Sequence, residues 1–105
     1  MSWTELSKME WLRLIETIVL DAFTAFRGRG HRRDHAIEMT AAALSLTPRR
    51  TRTFLNEEPA SVTALECEQI RRLYLAHLDG EMADLTRRSE LARARKAEVE
   101  REMRF

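Results

Sequence analysis

Apolar positions along this chain recur three and four residues apart, a spacing that belongs to helices rather than strands. The first such run passes from Leu6 through Trp11, Ile15, Ile18 and Val19, and predicts a helix from about Thr4 to Phe26. Thr4 is its expected N-cap, and Gly28 and Gly30 its stop. Apolar residues cover more than half of its circumference. Such a helix is either covered on two sides, by its own domain and by a partner chain, or lies at the centre of a single core.

Asp34 is placed to cap a second helix, roughly His35–Leu44. After a tight connection at Ser45 and Leu46, Thr47 is the next N-cap. Pro48 takes the first helical position, where a missing N–H costs nothing. This third helix is expected to end near Glu58, before Pro59. It buries Thr51, Phe54 and Leu55 at i, i+3 and i+4, and turns Arg49, Arg50, Arg52, Thr53 and Asn56 outward or sideways. Thr63 and Glu66 have capping-box spacing, with Val62 and Cys67 set for a hydrophobic staple.

The fourth helix, opening there, is expected to continue for about forty residues, or about 60 Å. Its first half carries a broad face of Ile70, Leu73, Tyr74, His77 and Leu78. A heptad seam then runs through Leu75, Leu78, Met82, Leu85, Ser89, Ala92, Lys96, Val99 and Met103. Ser89 and Lys96 weaken that seam, and Gly80 costs about 1 kcal/mol inside a helix. Asp84–Arg88 and Glu100–Arg104 are spaced to pair on the solvent side. A helix this long outruns any core the chain can build, so its second half is expected to meet another subunit or to fray. The fold class expected is all-α.

Composition narrows the setting. The 105 residues suit one small domain with an extension, and an apolar share of 44% is enough for a core. Two prolines and three glycines leave little punctuation for strands and turns. Glu16 and Asp21 interrupt the most apolar run, so no membrane span is expected. The first residues lack the basic flank and cleavage site of a secretory signal. Cys67 has no second cysteine to pair with, and a reducing cytoplasm is the expected location.

The net charge of +1 conceals a strong asymmetry. Between residues 27 and 52 stand Arg27, Arg29, Arg32, Arg33, Arg49, Arg50 and Arg52, opposed by Asp34 and Glu38 alone. The stretches before and after are each net acidic. Such clustering suits a polyanion-binding surface. Three of these arginines fill the first turns of the third helix, at the positive end of its dipole, where each is unfavourable by about 0.3–1 kcal/mol. An anion bound at that end would reverse the sign of the effect.

Residues Ile37–Asn56, "IEMTAAALSLTPRRTRTFLN", resemble the helix-turn-helix of phage-repressor-type bacterial DNA-binding domains. Ala41 stands where that family has a small residue for close helix contact, Leu44 and Leu46 flank the turn, and Phe54 is the late apolar anchor. The departures are Ser45 at the turn position usually held by glycine, Thr51 in place of valine or isoleucine, and Thr40 at an often apolar position. The resemblance implies that the third helix enters a DNA major groove with its N-terminal residues on base edges. The motif, at about 35–58, is expected within a helical DNA-binding domain over residues 1–79, and the heptad seam of the long helix makes residues 80–105 an expected oligomerising extension.

On that reading Arg49, Arg50, Arg52, Thr53 and Asn56 are the base-reading candidates. Arg29, His31, Arg32, Arg33 and Thr47 are the phosphate-contacting ones. Trp11, Ile18, Leu78, Met82, Leu85 and Val99 are candidates for a homodimer interface. His31 and His35 are four apart, but nothing nearby completes a metal site. No phosphate loop, nucleophile elbow or zinc motif appears, and the acidic pairs lack an enclosed setting, so neither catalysis, a cofactor nor a small-molecule ligand is expected.

The function expected is a dimeric, sequence-specific regulator of double-stranded DNA, a repressor of phage or mobile-element type, on a roughly palindromic site. Two alternatives stand beside it. One is a helical interaction adaptor or antirepressor. The other is a DNA packaging or segregation accessory.

Overall fold

A computed structural model describes residues 7–104. It contains four helices: α1 (Lys8–Gly28), α2 (Arg33–Leu44), α3 (Pro48–Leu55) and α4 (Ala64–Glu102). Among the described residues there is no strand, as the all-α expectation requires. No described helix is long and apolar enough to cross a membrane. The chain divides into two units, one reaching Leu75 and one starting at Ala76.

In the first unit, α1, α2 and α3 pack on one another. α1 begins at a full capping box: the Ser7 hydroxyl accepts from the Glu10 N–H at 3.3 Å, and the Glu10 carboxylate accepts from the Ser7 N–H at 3.4 Å. The expected cap, Thr4, lies outside the described residues. Ile15, Ile18, Val19, Ala22 and Phe26 form the inward stripe of α1. They meet Leu44, Phe54 and Val62, together with Cys67 and Ile70 from the first turns of α4. Burial pushes the Cys67 thiol above its ordinary pKa.

Each of the first three helices closes on a residue in the left-handed region: Gly30 (φ 94°), Ser45 (φ 52°) and Glu57 (φ 53°). The chain then turns back onto the helix just ended. His31 N–H donates to the Phe26 carbonyl (3.4 Å), Leu46 N–H to Ala41 (2.8 Å) and Glu58 N–H to Thr53 (3.0 Å). These closures correct three expectations. α1 runs to Gly28 rather than Phe26; α2 is entered at Arg32, so that Asp34 sits in its first turn instead of capping it; and α3 ends at Leu55, short of Glu58.

Thr40 and Thr51, the polar substitutions inside the motif, are fully buried. Their hydroxyls donate within their own helices, to the Ala36 carbonyl at 2.7 Å and the Thr47 carbonyl at 3.0 Å. The polar atom is thereby satisfied and the methyl group is left for the core.

The second unit is the remainder of α4. From Met82 onward every described residue is exposed, and Gly80 lies within the helix with open space around it. Its ion pairs differ from the expected ones: Asp84 pairs with Arg87, and Glu100 with Lys96 at 3.8 Å. The seam positions Met82, Leu85 and Val99 keep 65%, 63% and 52% of their surface exposed.

Candidate nucleic-acid interface

The positions most exposed to a ligand are set by how α2, its turn and α3 are built. Ser45, Leu46 and Thr47 join the two helices. Thr47 caps α3, its side chain accepting from the Arg50 N–H at 3.1 Å, and Pro48 opens the helix as expected. Leu46 packs on the core beside buried Leu44, so the turn is held from inside.

At one hundred degrees per residue, burial of Thr51 and Phe54 places Arg49 and Asn56 on the opposite side of α3, with Arg52 and Thr53 on its two shoulders. Arg49, Arg52 and Asn56 are exposed. Among the described residues neither the Arg49 nor the Arg52 guanidinium has an ion pair or hydrogen bond. The Thr53 hydroxyl donates back to the Arg49 carbonyl at 3.1 Å, so its methyl group is the part turned outward. No acid lies in the first turn of α3, while Glu57 and Glu58 follow its end. The helix is therefore positive at its entry and negative at its exit.

Arg50 behaves differently from its neighbours. Its Nη2 donates to the Ser61 carbonyl at 2.7 Å and to the Glu66 carboxylate at 2.6 Å, and its guanidinium lies 4.9 Å from the centre of the Phe54 ring. The Arg50 and Glu66 side chains keep 32% and 30% exposure. This base-reading candidate is thus occupied inside the domain, tying α3 to the loop before α4 and to the first turn of α4. It also changes the Thr63 cap. Thr63 accepts from the Glu66 N–H at 3.1 Å, but the Glu66 carboxylate goes to Arg50 instead of completing the box. Nothing in the local pattern announces a partner sixteen residues away.

The basic loop before α2 is partly self-organised. The Arg27 Nη1 donates to the His31 carbonyl at 3.0 Å. Arg29 lies 5.7 Å from the Phe26 ring and Arg33 5.6 Å from the Phe23 ring. The His31 and His35 rings stand 5.1 Å apart, and His35 is 3.7 Å from Glu38. Arg32 and Arg33 are exposed at the N-terminus of α2. Among the described residues no cluster of His, Cys, Asp and Glu is suited to a metal ion.

The candidates for subunit contact divide in the same way. Ile18 is 5% exposed within its own core, and Trp11 packs partly buried against that core. Leu78 is half-buried, whereas Met82, Leu85 and Val99 are free on the surface. A shallow groove of about 390 Å³ lies between Leu44–Leu46 and the α4 residues Glu66, Ile70 and Leu73, open to solvent.

Comparison of the chain with protein-family models, with curated protein sequences and with solved structures finds no match in any of the three.

Proposed function

We propose that the chain is a sequence-specific double-stranded DNA-binding regulator that acts as a homodimer and represses by occupying a promoter. The observation carrying this reading is the outward face of α3. Arg49 and Arg52 extend unpaired from the first turns of a capped helix, beside Asn56 and the Thr53 methyl group. Unopposed guanidiniums beside a positive helix end are a poor arrangement for the isolated domain, and a good one for an acceptor-rich ligand. In a major groove Arg49 is suited to guanine O6 and N7, Asn56 to adenine N6 and N7, and the Thr53 methyl to the thymine methyl. Arg32, Arg33 and Thr47 serve the phosphates on either side. The acidic exit of α3, at Glu57 and Glu58, orients the docking by keeping that end away from the backbone.

The test is selection of bound duplexes from a random pool at low and physiological salt, followed by the salt dependence of the winner. A recovered palindrome with half-sites about one helical turn apart and a steep salt slope supports the reading. Salt-independent or absent duplex binding would favour the adaptor or antirepressor alternative, in which the exposed apolar positions of α4 meet another protein. An assembly larger than a dimer would favour the packaging or segregation role.

A further inference from the structure

The seam of α4 in the second unit is lopsided. Between Leu78 and Lys96 its earlier positions are large (Leu78, Met82, Leu85) and its later ones small or charged (Ser89, Ala92, Lys96), before the large exposed Val99 and Met103 resume it. The flanks of the seam are divided as well, with Asp79 and Glu81 at one end and Arg88, Arg93 and Arg95 further on. A second copy laid parallel and in register sets every residue against itself. Ser89 and Ala92 then face their equals across gaps, Lys96 meets Lys96, and the arginine flanks oppose each other. Each of these is unfavourable, the like charges directly so.

Turning the second copy round removes these conflicts except at Arg88. With a two-fold axis beside Arg87, Leu78 lies opposite Lys96 of the second copy, Met82 opposite Ala92, and Leu85 opposite Ser89. Every layer then joins a large residue to a smaller or slimmer one, the alternation that fills space between two helices. The Lys96 stem covers Leu78 while its ammonium reaches water. Asp79 then flanks the seam on the same side as Arg93 of the second copy, and Glu81 on the same side as Arg95, and the same contacts recur on the other side of the axis. The cost is one approach of Arg88 to its own copy at the axis. The Asp84–Arg87 pair lies away from the seam and is not disturbed.

We propose that the exposed apolar seam of α4 is covered by the same segment of a second copy running antiparallel, over residues 78–96. The proposal rests on the homodimer named in the functional reading and specifies its geometry. Along such a pair the two Ala76 residues, where each arm begins, stand about 33 Å apart at 1.5 Å per residue.

The test uses the full chain carrying Arg101→Cys, a substitution at an exposed position beyond the paired span, labelled for distance measurement after the mass in solution is determined. Cys67 is buried and stays unlabelled. A dimer with labels about 42 Å apart supports the proposal, since residue 101 is twenty-eight positions from the residue opposite it. Under oxidation, Met82→Cys with Ala92→Cys should then cross-link between copies, and Lys96→Cys should not. A dimer with labels within about 20 Å and ready cross-linking of Lys96→Cys overturns the antiparallel arrangement while leaving the dimeric regulator intact. A monomer at every concentration overturns both the pairing and the dimer, and duplex binding measured separately decides the rest of the functional reading.

Discussion

Replacing Arg50 by alanine is expected to weaken the fold and to leave the electrostatics of the proposed DNA binding unchanged. The variant loses the 2.6 Å contact to Glu66, the 2.7 Å bond to the Ser61 carbonyl and the packing over Phe54. A charge-assisted hydrogen bond in a protected place contributes about 1.5–3 kcal/mol, and an exposed ion pair about 0–1 kcal/mol. Arg50 and Glu66 keep about a third of their side-chain surface in water, so the pair belongs between those limits. The ring contact adds about 0.5 kcal/mol. The expected loss for Arg50→Ala is therefore about 1–2 kcal/mol, read by urea denaturation as a lower midpoint at unchanged slope. With Glu66→Ala in a double-mutant cycle, about 1 kcal/mol should appear as coupling.

The same variant decides what Arg50 does at the interface. A guanidinium held by Glu66 contributes no phosphate contact, so the slope of log K against log salt should match the parent's. Replacing an arginine that does grip phosphate lowers that slope by about 0.9 per contact. Near-parental stability together with a slope reduced by about one would refute the reasoning. It would mean that Arg50 leaves Glu66 and swings to the nucleic acid, as the charge pattern of the sequence alone suggests.

Other outcomes follow from the same geometry. On the proposed function, Arg49→Ala should cost about 1–3 kcal/mol of specific affinity and relax the preference at one base pair, measured by competition between duplexes. Ser45→Gly should raise stability by about 0.5–1 kcal/mol in denaturant, because φ 52° strains a serine but not a glycine. Gly80→Ala should raise the helicity and melting temperature of α4 by about 1 kcal/mol in stability, since a methyl group there meets nothing. Cys67 binds its proton more tightly folded than unfolded, so its contribution is complete below the ordinary pKa of 9.0 and fades as pH rises above it. Because the thiol is also fully buried, its alkylation at neutral pH should wait on opening of the fold.

The legible parts of the fold were those with local causes. Thr47 and Pro48 start α3 as read, the buried face of Thr51 and Phe54 is as read, and α4 runs 39 residues from the capped start at Thr63. The misplaced boundaries have physical reasons too. Ser7 and Glu10 carry the capping-box spacing that Thr4 lacks, so that signal was present in the chain. Asp34 is not the cap because the closure of α1 at Gly30 returns the chain early enough for α2 to begin at Arg33. Its carboxylate still lies in the first turn, where the dipole favours it.

The Arg50 latch had no local cause, and it alters the meaning of the arginine cluster. Three cations at one helix end looked like a single device. Helical angle separates them: Arg50 stands toward the flank on which Phe54 and Glu66 lie, whereas Arg49 faces away from the core. One positive charge is neutralised within the domain and stiffens the union of α3 with the start of α4. The remaining two meet no opposing charge among the described residues. A cluster meant only to be solvated has no need of this division, because any of the three would serve equally well in water. If α3 is a reading helix, the division has a purpose. The helix that must hold Arg49 and Arg52 in register against a rigid partner is anchored by the arginine between them. Rigidity and binding are then supplied by neighbouring residues of the same type.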